Sequence, residues 1–244
     1  MIRFSIFKSA SSRLKAALCA VLIFALFIVS VNVYKQIECV SAAVGSLEKQ
    51  NTVIIDAGHG GFDGGAVVNG ISEKNINLKI ACQLNLLLKS SGYNVIMTRT
   101  DDSSTDSEPE ASISVRKRSD MRNRLSIAKN NPEAIFISIH LNKFESSGAK
   151  GAQMFYSPKN EASKYLAESL RKNIVSFLQP DNSRTLKIGT KSTYLLYNSP
   201  IPAVIAECGF MSNPEEFKRL QSTDYQHKMA FALFCGINEF YSQE

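Results

Sequence analysis

Paired cysteines are missing from this 244-residue chain, and histidine is scarce. Five cysteines occur, but none stands in a CxxC or other paired spacing, so a disulfide framework is not indicated. Cys82, Cys208 and Cys235 fall in apolar helix or strand patterns and read as buried free thiols. HExxH is absent. Gly58-x-Gly60 is followed by Asp63 where a dinucleotide fingerprint needs glycine. No Gly-Lys-Ser/Thr closes that glycine loop, which excludes a phosphate loop. Internal repeats and low-complexity tracts are also absent. A large excess of positive charge is lacking once the N-terminus is set aside. Five of the 28 Lys and Arg and one of the 22 acids precede Ala43, leaving 23 against 21. A net charge near +2 over that remainder does not point to nucleic acid.

What is present begins with an unusual N-terminus. Met1 to Lys15 carries Arg3, Lys8, Arg13 and Lys15 and no acid, and Ala16 to Val33 is apolar apart from Ser30 and Asn32. A basic start before a long apolar run is an export signal. The run approaches the roughly 17–25 residues that span a bilayer and exceeds the roughly 7–15 of a cleaved signal core. Small residues at Val40-Ser41-Ala42 and Ser41-Ala42-Ala43 nevertheless suit a signal peptidase. Signal peptide and membrane anchor both stay open, with length favouring the anchor. Residues 1–43 are thus an export or anchoring segment with a linker. Positive charges ahead of the run orient the C-terminal part of the chain outside the cytoplasm.

The remainder, with its folded unit over residues 52–242, suits one domain with a sizeable core. Thr52–Asp56 is a β-branched run, hence a buried strand. A glycine-rich loop comes next, then a helix that Ser72 can cap, with Ile76, Ile80, Leu84, Leu87 and Leu88 on its apolar face. Tyr93–Thr98 is the next strand, and acidic, serine-rich Asp101–Ser114 is a surface loop. Arg116–Asn130 is a charged helix with Met121, Leu125 and Ala128 inward. Its Arg116, Lys117, Arg118, Arg122 and Arg124 read as solvated, with Arg124 open to a structural place near the site. Ala134–Ile139 is a strand ending at His140, Gly151–Tyr156 a fourth, and Ala162–Leu178 a helix. Tyr194–Tyr197 reads as a short strand and Ala203–Ala206 as a buried strand ending at Glu207. Pro214–Leu220 and Tyr225–Tyr241 are closing helices. Strands alternating with helices predict an α/β fold: a mostly parallel twisted sheet with helices on both faces.

In such a sheet the ligand crevice lies beyond the carboxyl ends of the strands. His59 comes just after the first strand, His140 and Glu207 end two others, and Glu73 starts a helix close to the same edge. Two imidazoles and a carboxylate are the ligands of a hydrolytic zinc centre that keeps a place for water. His59, Glu73 and His140 would hold the ion, and Glu207 would serve as general base and acid. A lone histidine at a strand end is usually a hydrogen-bonded rim residue. Glu73 alone is a helix-start acid favoured by the dipole. Convergence on one edge is what favours the metal reading. Glu207 is harder to dismiss, because a carboxylate directly after Ala-Val-Ile-Ala is expensive to bury without a partner. His227 lies on a charged helix face and reads as surface, and Ser138 as strand packing.

These residues carry a resemblance. Ile54-Ile-Asp-Ala-Gly-His-Gly-Gly61, Glu73 opening a helix, Thr98-Arg99-x-Asp101, Phe136-Ile-Ser-Ile-His-Leu-Asn142 and Pro202-Ala-Val-Ile-Ala-Glu-Cys-Gly-Phe-Met-Ser-Asn213 resemble the zinc-dependent N-acetylmuramoyl-L-alanine amidases. The resemblance runs in order from Thr52 nearly to the C-terminus. It implies an α/β fold, one Zn2+, and cleavage of the amide between N-acetylmuramic acid and L-alanine in peptidoglycan. By position it puts His59, Glu73 and His140 on the zinc and makes Glu207 the catalytic acid. The N-terminal segment, the absence of wall-binding repeats and the segment around Glu207 are similar to the spore-cortex, germination-specific branch. That branch implies peptide removal before muramic-δ-lactam formation, functional pairing with a muramic acid deacetylase, and a place in the spore cortex space. A bare catalytic domain also implies an activating protein partner. Asp101–Glu110 is an insertion to which the resemblance assigns no role. Two rivals remain beside the amidase: a zinc carboxypeptidase on stem peptides and a non-catalytic wall-binding protein.

Overall fold

The computed structural model describes residues 51–242 together with Ser30. The apolar run of residues 16–33 and the cleavage-like residues after it lie, Ser30 apart, outside the described residues. Among the described residues no helix is long and apolar enough to cross a membrane.

The chain order is β1 (Thr52–Ala57), β2 (Val67–Val68), β3 (Ile71–Ser72), α1 (Glu73–Ser90), β4 (Asn94–Met97), α2 (Ile113–Lys129) and β5 (Ala134–Asn142), then β6 (Gln153–Tyr156), α3 (Ala162–Phe177), β7 (Lys187–Ile188), α4 (Tyr194–Asn198), β8 (Ala203–Phe210), α5 (Pro214–Leu220) and α6 (Thr223–Tyr241). Six strands form one sheet in the order β4-β1-β5-β8-β6-β7, and β2 pairs with β3 in a small hairpin. β1 lies parallel to β4 and β5, and β5 parallel to β8. β6 runs antiparallel to β8, so the sheet is mixed at that end.

Strict alternation along the central strands divides the core. Val53, Ile55, Ala57, Ile135, Ile137, Ile139, Val204 and Ala206 face α1, α3 and α6. Ile54, Phe136 and Ala203 face the other way, against Leu125 and Ala128 of α2 and Leu195 and Leu196 of α4. Both faces are therefore covered, as a parallel sheet requires. Each fully buried Ile or Leu contributes about 1.5–3 kcal/mol in removed apolar surface, so the central strands are the anchor for everything at their ends.

Three expectations need correction. Tyr194–Tyr197 is helix, not strand. Leu195 and Leu196 are adjacent and both buried in one cluster. A strand would send them to opposite faces, whereas a helical turn allows both to pack. His140 and Glu207 do not end their strands: β5 continues to Asn142 and β8 to Phe210. The apolar run stops where side chains meet the site, but backbone pairing goes on, with a register shift between His140 and Asn142. Cys82 and Cys235 are only partly buried, while Cys208 is fully so.

Candidate metal centre

The loop from Gly58 to Gly65 carries His59 past the end of β1. His59 adopts a left-handed backbone, φ 62°, a conformation that favours glycine. Two of its neighbours must be glycine for space. A Cβ on Gly58 would lie 2.3 Å from the His140 ring, and one on Gly65 would lie 2.6 Å from both Glu73 and His59. Glu73 is the first residue of α1. Ser72 precedes it in extended conformation, but its side chain makes no capping bond. The loop caps the helix instead, with Ala66 O accepting from Glu73 N and Gly64 O from Lys74 N, at 2.8 and 3.2 Å. Loop and helix start are thereby one unit.

On this frame the predicted residues come together. His59 Nε2 lies 3.3 Å from Glu73 Oε2, and His140 Nδ1 lies 3.1 Å from Glu73 Oε1. The two rings meet edge to face, centroids 4.9 Å apart. One ligand atom from each of His59, Glu73 and His140 falls within 4.8 Å of the others. Ligand atoms about 2.0–2.1 Å from a tetrahedral zinc lie roughly 3.3 Å apart, so the donor set and its spacing fit that ion. Glu207 faces His140 in register across β5 and β8. Its Oε2 is buried without a hydrogen-bond partner. His227 is exposed on α6, as its sequence context indicated.

The charges are set by these contacts. Burial lowers the His59 pKa, yet hydrogen bonds to Asp63 and Glu73 outweigh it and push it up to about 9. Burial opposes ionisation of Glu73, but its bonds to His140 and His59 hold it well below the usual carboxylate range. It also accepts from Leu141 N and Asn77 Nδ2 on Oε1 and from Ala66 N on Oε2. Glu207 goes the other way: burial pushes it up to about 7, with Glu73's charge adding to that and the histidines opposing. The two acids are thus split, one an anion beside the histidines and one poised to carry a proton near neutrality.

Several residues hold the site from beneath, and the structural place near it that the sequence left open for Arg124 is the one Arg124 takes. Arg124 is fully buried and is not solvated. It donates to Asp56 and Asp120, and to the carbonyls of Ala57 and His59 at 3.1 and 2.8 Å. Burial alone raises the Asp56 pKa, but Arg124, Ser138 and Thr98 bring it below the ordinary value. Ser138 is therefore a hydrogen-bond donor to Asp56 rather than simple packing. Arg99 donates to the carbonyls of Ala57 and Gly58 at 2.8 and 3.1 Å. The acidic segment with no assigned role binds the same loop. Asp102 accepts from Gly61 N and from Lys74 Nζ, which also reaches Gly61 O. Asp106 pairs with Arg116, whose guanidinium lies 3.9 Å over the Phe62 ring. Asp56 carried a usable signal, since an acid after Val-Ile-Ile is as costly to bury as Glu207.

Comparison with known proteins agrees with the geometry. Residues 53–239 match the family model described as N-acetylmuramoyl-L-alanine amidase. The chain is 34% identical over 196 residues to the germination-specific N-acetylmuramoyl-L-alanine amidase of Bacillus subtilis, covering 79% of this chain and 80% of that protein. It is 40% identical to the CwlD amidase of Clostridioides difficile, solved in complex with the GerS lipoprotein. That match covers 80% of this chain and all of the other, with a TM-score of 0.77. The catalytic domain of CwlV from Bacillus (Paenibacillus) polymyxa is 28% identical, covering 80% of this chain and all of that one, with a TM-score of 0.66.

Proposed function

Since this chain belongs to the N-acetylmuramoyl-L-alanine amidase family, we propose that His59, Glu73 and His140 hold one Zn2+ and that Glu207 moves the protons as the amide between N-acetylmuramic acid and L-alanine is cut. The observation that carries this reading is the triad of ligand atoms within 4.8 Å, set beside a buried, unpartnered carboxylate oxygen. When bound, the ion supplies Lewis acidity toward a water molecule and the scissile carbonyl. Glu207 accepts the proton of the attacking water at its buried Oε2 and returns it to the departing nitrogen of L-alanine. Its burial beside His140, with one oxygen unpartnered, leaves that oxygen free for both transfers. Glu73, held as an anion by His140 and His59, lies between the two rings and keeps both turned toward it.

The catalytic unit spans residues 52–242, and residues 1–43 export or anchor it outside the cytoplasm. Likeness to the germination-specific amidase of Bacillus subtilis supports a place in the spore cortex. There the enzyme would strip peptide from muramic acid before a deacetylase completes muramic-δ-lactam. Likeness to an amidase solved in complex with a lipoprotein supports a protein partner, to which we assign an activating role. Glu207→Gln tests the assignment. It should bind zinc and keep its fold while turning over no muropeptide, and a variant that still cleaves would remove Glu207 from the mechanism.

A further inference from the structure

His59 is gripped at both ends by side chains outside the triad. Its ring turns Nδ1 to Asp63 Oδ2 at 2.8 Å while Nε2 faces Glu73. Asp63 is itself held, with Lys117 Nζ 3.0 Å from Oδ1 and Gly65 N donating to the same oxygen at 3.3 Å. At the backbone end Arg124 Nη2 donates to His59 O at 2.8 Å. Lys117 and Arg124 both come from α2 and are about two helical turns apart. One helix therefore holds the ring, through Asp63, and the carbonyl of the same residue.

Both grips answer a physical need. A neutral imidazole has two tautomers, and a metal ligand must keep its lone pair on the nitrogen that faces the ion. An acceptor on the opposite nitrogen takes the ring hydrogen and fixes the choice. Asp63 is placed to do that for Nε2 ligation. A left-handed backbone costs a non-glycine residue about 1–2 kcal/mol, and the bond from Arg124 to the His59 carbonyl offsets that cost.

We propose that Asp63 and Arg124 are positioning residues for His59: Asp63 locks the ring with Nε2 directed at the metal, and Arg124 locks the left-handed backbone that carries it. The proposal rests on the zinc reading of the triad and adds to it two residues outside the ligand set.

The test is zinc affinity of the full chain in mild detergent, by competition with a chromophoric chelator. Nitrogen NMR of the histidine rings and melting of the metal-free protein accompany it. Asp63→Ala should weaken zinc binding roughly 10–100-fold, with Asp63→Asn, which keeps a neutral acceptor, falling between. In the zinc-loaded wild type the hydrogen on His59 Nδ1, bonded to Asp63, should resonate well downfield of an unbonded ring N–H, and Asp63→Ala should lose that signature. Arg124→Lys keeps a cation between Asp56 and Asp120 but cannot reach two carbonyls, and it should weaken zinc about tenfold. Affinity of Arg124→Lys within about threefold of wild type removes Arg124 from the proposal, and if that variant does not fold, Arg124→Gln, which keeps one donor, takes the same test. A residue that only packed would lower the melting temperature and leave affinity alone. Affinity of Asp63→Ala within about threefold of wild type, or an unchanged ring signature, overturns the proposal. A wild type that binds no zinc overturns the metal reading itself, and this proposal with it.

Discussion

Replacing Glu207 with glutamine should stabilise the metal-free protein, and only where the pH is high enough. In the fold, burial pushes the Glu207 pKa up to about 7, against an ordinary value of 4.5. The folded value exceeds the unfolded one, so the unfolded chain loses its proton first. Stability then falls as pH rises from about 4.5 to about 7 and is level above that. At about 1.36 kcal/mol per pKa unit the full effect is roughly 3 kcal/mol, an upper bound because Glu207 is coupled to the charges around it. Glutamine carries no charge and lacks the decline. Any cost of burying its unpaired amide is the same at every pH. Urea unfolding of chelator-treated wild type and Glu207→Gln should therefore give curves that diverge, with the variant gaining about 2–3 kcal/mol between pH 4.5 and pH 8. Added zinc, a cation beside the carboxylate, should shrink the gap. A stability difference that stays constant across that pH range would refute the argument, because Glu207 would then be an ordinary solvated acid.

Arg124→Met should cost about 3–5 kcal/mol in urea unfolding, since it leaves Asp56 and Asp120 without their buried cation, and a loss under about 1 kcal/mol contradicts the network. Gly58→Ala places a methyl 2.3 Å from the His140 ring, so that ring must swing away. Zinc affinity should fall more than about tenfold while circular dichroism keeps the native spectrum, and unchanged affinity counts against His140 as a ligand. In the metal-free protein the His59 pKa is pushed up to about 9 by Asp63 and Glu73 against the effect of burial. Its contribution to stability is complete below about 6.5 and lost as pH rises through about 9. Proton NMR of its ring should titrate near 9, and a midpoint below 7 contradicts both contacts.

The central strands were legible because β1, β5 and β8 are buried on both faces and read as near-continuous apolar runs. They defined the common edge, and with it His59, His140 and Glu207. Strand ends were less legible. His140 and Glu207 interrupt the apolar run but not the hydrogen-bonded ladder, which depends on backbone and not on side-chain type. Tyr194–Tyr197 is short enough that its aromatic and aliphatic residues suit either state, and packing of Leu195 and Leu196 decides it. The polar support was hardest to see. Asp102 and Asp106 look like solvent-facing acids in a loop, yet their partners Lys74 and Arg116 lie on two different helices. Arg124 looks like one charge among five on a basic helix, and only the fold reveals that Asp56, Asp120 and two carbonyls await it.

Mass spectrometry of muropeptides digested by the zinc-loaded protein tests the central claim most directly. The account predicts glycan whose muramic acid bears no peptide, released peptides with a free L-alanine amine, and loss of both products after chelation until zinc is restored. Peptides shortened from their carboxyl end and still joined to muramic acid, or undiminished cleavage after chelation, would contradict it.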